Sequence, residues 1–288
     1  MTARRAVGRA ADRTIAAADR FTARGTRLVQ GPGLRRAWLV VATLAAVPLL
    51  GFGTLQAASV LAHEERTEVT EVEAAGIREV DVDNDAGSVA VVGVDGATAI
   101  TVRARIGEGL RDTGHRIAER DGRLHVTGSC PLVGSEWCSV DYTVEVPADM
   151  PVSVDGRGRV VVSDVSGGVT ARSDQGRVEL VRVGGPVVAR SDQGRVEGTA
   201  LTAPTVDASS DQGRLTLEFA RSPDAITARA DQGDIDIVLP DEAGVDYATD
   251  VDADQGAVSA PIRQDPDSRR SITARADQGS ITVTYAPG

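Results

Sequence analysis

Six times between residues 174 and 279 the chain writes Asp-Gln-Gly, and the spacing of these triplets constrains its fold more than any other feature. The glycines fall at Gly176, Gly194, Gly213, Gly233, Gly256 and Gly279, steps of 18, 19, 20, 23 and 23 residues. A period near twenty marks a repeat architecture, in which a unit buries its apolar face only by stacking on its neighbours. Around each triplet, apolar and polar residues alternate. Val169, Ala171 and Ser173 precede the first, and Val178 and Leu180 follow it; Ile226, Ala228 and Ala230 precede the fourth, and Ile235, Ile237 and Leu239 follow it. Strict period-two alternation predicts strands with one buried face. Each unit therefore reads as strand, corner, strand and a looser turn such as "VSGG", "VGGP" or "LTAP".

The expected fold is an all-β, single-stranded β-solenoid, a two-sheet β-roll or a β-helix, with coils of 18 to 23 residues. Consecutive coils are expected to stack in parallel, ~4.8 Å apart. A β-sandwich of hairpins would also satisfy the alternation, but hairpin turns have no reason to repeat one sequence. The inward residue beside the corner is always small (Ser173, Ser191, Ser210, Ala230, Ala253, Ala276), as a tapering edge between two sheets requires. Weaker units appear upstream in "VDVDNDAGSVAVVG" and "VSVDGRGRVVVSDVSG". Residues 98–150 break the period and read as an irregular insertion or cap. There "GEGLRDTGHRIAERDGRLHV" suggests a loop or short helix before a strand.

The corner residues are Asp174, Gln175 and Gly176; Asp192, Gln193 and Gly194; Asp211, Gln212 and Gly213; Asp231, Gln232 and Gly233; Asp254, Gln255 and Gly256; Asp277, Gln278 and Gly279. Structural roles suggest themselves for all three. Gly would supply a positive φ, Asp an Asx-turn, and the stacked Gln amides a hydrogen-bonded ladder. Two chemical readings compete. A carboxylate column could bind calcium, but calcium wants six to eight oxygens, and Arg159, Arg177, Arg195 and Arg214 would neutralise the column. A polysaccharide-acting enzyme needs particular carboxylates, and no Asp is singled out among equals. No metal-ligand spacing surrounds His115 or His125, and no nucleotide-binding or nucleophile motif lies in a fitting context. Nothing in the sequence calls for a cofactor.

Residues 37–62 contain no charged residue, enough apolar chain to span a bilayer as a helix. Nine Arg against Asp12 and Asp19 precede them, so the N-terminal 36 residues carry +7 and the rest −18 of the chain's net −11. The positive-inside rule then puts residues 1–36 in the cytoplasm and everything after the span outside. The organisation read from this is a basic segment (1–36), a transmembrane helix (37–62), a juxtamembrane linker (63–75) and an extracytoplasmic solenoid (76–288). A cleaved signal peptide is the alternative, disfavoured by the long basic region before the apolar stretch. An acidic body excludes nucleic acid as a partner, because phosphate contacts need clustered cations. Cys130 and Cys138 are the only cysteines, and outside the membrane an even count suggests one disulfide.

The stretch "YTVEVPADMPVSVDGRGRVVVSDVSGGVTARSDQGRVEL" resembles a bacterial family of β-strand-repeat surface proteins known as "putative adhesins", a domain of unknown function. The resemblance rests on the Y-x-V-x-VP strand, Tyr142 to Pro147, and on coils of the form G-x-V-x-A-R-S-x-x-G, and it covers roughly residues 70–287. Many members carry Ser-Ser or similar where this chain fixes Asp-Gln. The resemblance implies a surface-exposed solenoid and brings no catalytic residues. Together these readings predict a non-enzymatic, membrane-anchored scaffold, adhesin or interaction module of the bacterial cell envelope. The column Arg172, Arg190, Arg229 and Arg275 is the candidate contact surface, for an envelope protein or glycan. Open end coils would allow self-stacking into homo-oligomers.

Overall fold

A computed structural model of the chain describes residues 64–108, 113–131 and 138–287. These residues form strands and no helix. After β1 (Glu64–Glu73), the chain builds a first coil from β2 (Glu79–Asn84) and β3 (Val89–Val94). An excursion through β4 (Ala99–Glu108) and β5 (Gly114–Arg120) leads to a second coil, β6 (Arg123–Ser129) and β7 (Ser139–Pro147). The remaining coils pair β8 (Val152–Gly156) with β9 (Val160–Ser163), β10 (Val169–Ser173) with β11 (Val178–Val181), and β12 (Val187–Ser191) with β13 (Val196–Leu201). They continue as β14 (Thr205–Ser210) with β15 (Leu215–Phe219), β16 (Ala225–Gln232) with β17 (Ile235–Leu239), β18 (Ala248–Gln255) with β19 (Val258–Ser259), and β20 (Ser271–Gln278) with β21 (Ile281–Tyr285).

The first strand of every coil joins one sheet and the second strand joins the other. The two sheets run β18-β20-β16-β14-β12-β10-β8-β2-β6-β5 and β1-β4-β7-β3-β9-β11-β13-β15-β17-β21-β19. Pairing from β8 to β21 is parallel, with one register shift between β13 and β15 at Gly198 to Leu201, and like residues stack: Val169 on Val187, Val206 and Ile226, and Ser173 on Ser191, Ser210 and Ala230. The inward residues of the alternating pattern form one continuous core between the sheets, including Val80, Val82, Val160, Val178, Leu215, Leu217, Ile235 and Ile281. Burying each such side chain contributes about 1.5–3 kcal/mol, which makes the stacked interior the main source of stability.

The stacking order corrects the expectation of consecutive coils. The last coil in sequence, β20–β21, lies between β16–β17 and β18–β19. Side chains explain the exchange. β20–β21 carries Ile272, Ala274, Ala276, Ile281 and Val283, all buried, and can bury apolar surface against both neighbours. The coil β18–β19 offers only Val251, Ala253 and Val258 as apolar residues in the inward register, and its other residues include Thr249, Asp250, Asp252 and Asp254. The apolar coil takes the interior and the poorer one the end. A similar exchange occurs upstream, where β2–β3 lies between β6–β7 and β8–β9.

Residues 98–150 are also more regular than their broken period suggested. The segment holds the strands β4 to β7. β5 replaces the expected loop or short helix and runs antiparallel to β6, while β4 runs antiparallel to both β7 and β1. The break in period marks this reversal of strand direction. Residues 64–73, expected within a linker, form β1. Its Glu and Arg residues disguise a strand because an edge strand needs no apolar outer face and gains from charge that discourages pairing. Arg66 pairs with Glu68 at 3.0 Å and with Glu108 at 3.2 Å.

Polar groups tie this end together. Asn84, fully buried, donates to the Val140 carbonyl at 2.8 Å and accepts from the Ala86 amide at 3.2 Å. The Tyr142 hydroxyl donates to the Thr127 carbonyl at 2.9 Å and lies 2.8 Å from His115 Nδ1. With the hydroxyl proton so used, Nδ1 of neutral His115 is the donor. Burial holds the His115 imidazole below its ordinary pKa, with Glu68 pulling upward and Arg66 lowering it further. A disulfide joins Cys130 to Cys138 with Cα atoms 5.8 Å apart. The segment read as membrane-spanning, residues 37–62, lies outside the described residues, as do residues 1–36 and Trp137; among the described residues no helix is long and apolar enough to cross a membrane.

Candidate interaction surface

The Asp-Gln-Gly triplets sit at the turn from one sheet to the other, stacked coil upon coil. Glycine is required there for close approach, the property common to all six, while positive φ is found only at Gly233 and Gly279. A Cβ on Gly176 would overlap the Gly158 backbone, one on Gly194 the Gly176 carbonyl, and one on Gly213 the Gly194 carbonyl. The series continues through Gly233, Gly279 and Gly256 in the order of stacking. Gly176, Gly194, Gly213 and Gly256 do not have positive φ, and Gly233 and Gly279 lie near extended backbone at 158° and 157°. The tight spacing lets the backbone ladder cross the corner. The Gln175 amide donates to the Arg157 carbonyl, Gln193 to Asp174, and Gln212 to Asp192, each at 3.0 Å.

Serine does the side-chain work assigned to aspartate from the sequence. Ser173 Oγ donates to the Gly158 carbonyl at 2.7 Å and accepts from the Gly176 amide at 2.9 Å. Ser191 repeats the arrangement with Gly176 and Gly194, both at 2.9 Å, and Ser210 donates to the Gly194 carbonyl at 2.8 Å. Each hydroxyl thus bridges one coil to the next. The later coils put Ala230, Ala276 and Ala253 at this position, and there the first strand continues through the Gln of the triplet. The sequence did show the serines, but their smallness alone was read.

The aspartates and glutamines have no such duty. All twelve of these side chains in the six triplets are exposed, and none makes a side-chain hydrogen bond or ion pair within the described residues. The expected Asx-turns and amide ladder are absent because the corner amides already face the carbonyls of the adjacent coil. Nor do the neighbouring arginines neutralise the column. Arg159 and Arg177 both pair with Glu179, Arg195 with Glu197 at 2.9 Å, and Arg214 with Asp234 at 2.7 Å. All of these acceptors lie beyond the corner, on or beside the second sheet.

A second column runs beside the tips on the outer face of the first sheet. In stacking order it reads Asp83, Asp155, Arg172, Arg190, Ser209, Arg229, Arg275 and Asp252. The structure therefore brings the four predicted arginines onto one line, with Ser209 interrupting it. Arg275 pairs with Asp250 at 2.6 Å, and Arg229 approaches Asp207 at 4.0 Å. Arg172 and Arg190 are exposed and make no salt bridge among the described residues. The acidic start of the column is self-repelling. The Asp83 carboxyl is raised by burial and then by Asp85, Asp155 and Asp81; that of Asp155 is raised by burial and by Asp174, against an opposing pull from Arg172. Where this column meets the first corners, a shallow groove of about 340 Å³ is lined by Asp85, Arg157, Gln175 and the glycines of three coils. Among the described residues no group of three or more His, Cys, Asp or Glu side chains could hold a metal ion.

Comparison with curated proteins finds no match. Several solved structures are similar at low identity. A "putative cell adhesion protein" from Clostridium sporogenes is 11% identical over 77% of this chain and 100% of its own, with a TM-score of 0.38. A "putative adhesin" from Bacteroides fragilis is 14% identical over 77% and 97%, with a TM-score of 0.35. A "putative adhesin" from Parabacteroides merdae is 11% identical over 77% and 97%, with a TM-score of 0.41. The model of one family, Toastrack DUF4097, matches residues 54–286, nearly the whole of the described chain and the repeat built above. The chain belongs to the Toastrack family.

Proposed function

We propose that this protein is a non-enzymatic interaction module that presents a regular polar face to a partner in the bacterial cell envelope, held at the membrane by residues 37–62. The observation that carries this reading is the idleness of the repeated Asp and Gln side chains. Gly and Ser account for the corner physically, yet the chain repeats Asp-Gln six times at positions where neither side chain stabilises anything. Repetition at a spacing of ~4.8 Å turns one weak contact into a ribbon of equivalent contacts, which suits a protein or glycan that is itself extended. The columns alternate in sign, acidic at the tips and basic at Arg172 and Arg190, and such patterning favours register and orientation over raw affinity. Equivalent carboxylates spaced along a ribbon do not make the unequal pair that glycoside hydrolysis requires.

The arginine column gives the test. With Arg172 and Arg190 both changed to Glu, crosslinking in intact cells should recover envelope partners at a level reduced by about tenfold or more. The exposed positions should leave the melting temperature within a few degrees of wild type. Unchanged recovery of the same partners would remove this face from consideration.

A further inference from the structure

We infer that the end of the solenoid formed by β18 and β19 is a docking edge for an extended, basic strand of a partner protein. The two ends of the molecule differ in kind. At the β1 end, Arg66, Glu68, Thr70 and Val72 occupy the inward register opposite Ile106, Ala104, Val102 and Ile100, so polar or charged groups close three of the four positions. At the β18–β19 end, the inward register holds Thr249, Val251, Ala253 and Val258, opposite Ile272, Ala274, Ala276 and Ile281. Val251 and Ala253 are only half-buried, and Val258 is 47% exposed. From Val251 onward this end therefore lacks the polar closure that a terminal repeat ordinarily supplies.

The backbone of this end is also available. β18 and β19 are the last strands of their sheets. The loop after β19 packs Ala260 and Ile262 against the core and pairs with the start of β18, where Gln264 bridges Tyr247 and meets Thr249 at 2.9 Å. From Asp250 to Gln255, no strand lies on the outer edge of β18 among the described residues.

The covered side of β18 shows what such a strand must look like. There β20, "SITARADQ", places Ile272, Ala274 and Ala276 inward and Arg275 outward. Arg275 reaches Asp250 at 2.6 Å and Asp252 at 3.8 Å. Asp254 has no hydrogen-bond or ion-pair partner among the described residues, so three aspartates there face one arginine along this strand. Charge and pattern together select a strand with small apolar residues on one face and Arg or Lys on the other, adding itself by main-chain hydrogen bonds. A second copy fits less well. Two β18 strands side by side would oppose their aspartates, and the β1 end would bring Arg66 and Glu68 against Val258.

The test uses the full chain in detergent and a fluorescent octapeptide in which Arg alternates with Val and Ala. Anisotropy should show saturable, salt-sensitive binding, and amide exchange should slow at residues 250–255. Asp254→Arg should weaken binding by about tenfold, while Arg120→Glu on β5, at the opposite end, should not. A peptide with Glu in place of Arg should not bind. The inference is overturned by equal binding of both peptides, by protection outside β18 and β19, or by no binding at all. It is equally overturned if sedimentation shows that this edge is already occupied by a second copy.

Discussion

Gly194→Ala should destabilise the solenoid by about 3 kcal/mol or more, whereas Gly168→Ala, two coil-edges away, should be nearly neutral. The difference lies in what the new methyl group meets. At Gly194 it would overlap the Gly176 carbonyl oxygen and crowd Ser191 Oγ, while at Gly168 the nearest atom, the Pro186 oxygen, is 3.9 Å away. Relief at Gly194 requires two coils to separate. Separation stretches the hydrogen bond from the Gln193 backbone amide to the Asp174 carbonyl and that from the Ser191 hydroxyl to the Gly176 carbonyl. The cost therefore spreads to neighbouring rungs instead of ending at one side chain. Urea unfolding of both variants measures it. Similar midpoints for the two would mean that the corner glycines are not close-packed.

Truncation after Arg270 should cost on the order of 5 kcal/mol and release residues 248–259 to rapid amide exchange. In a solenoid stacked in sequence order, removing the last coil would only shorten it. Here the last coil is internal. It contributes the buried Ile272, Ile281 and Val283, and receives or supplies main-chain bonds on both sides, from the Gly233 amide to the Gln278 carbonyl and from the Gly279 amide to the Gln255 carbonyl. Its loss also removes the Tyr285 ring from Arg263, 4.8 Å away, and the Tyr285 hydroxyl that accepts from the Arg263 amide. Retained protection at 248–259 would show that the end coil can hold onto β16–β17 unaided.

The strands and the core were legible in the sequence because period two survives substitution among Val, Ala, Leu and Ile. Val169 and Val187 declare their face without help from the rest of the chain. Coil order was harder to read, since every coil writes the same pattern and alternation says nothing about neighbours. A signal existed all the same. "ITARADQG" occurs unchanged at Ile226–Gly233 and Ile272–Gly279, and these two units are adjacent in space. The intervening unit, with Asp250 and Asp252 on its outer face, is the atypical one expected of a terminal repeat. The roles within the triplet were misassigned because residue types were matched to local turn habits. Asp and Gly are turn residues in isolation, but in a stack the contact between coils decides. Ser173 and Ser191, inconspicuous as small residues, make the side-chain bridges. The charged strand β1 was obscured because Glu and Arg hide alternation on an edge that needs none.

The central claim is that the repeat carries Gly and Ser for the fold and Asp-Gln for a partner. Replacing Asp174-Gln175, Asp192-Gln193 and Asp211-Gln212 together by Ser-Ser tests it most directly, with the melting temperature of the protein and its partners crosslinked in intact cells both measured. The account predicts a melting temperature within a few degrees of wild type and loss of the crosslinked partners. A large fall in melting temperature, or an unchanged set of partners, would contradict it.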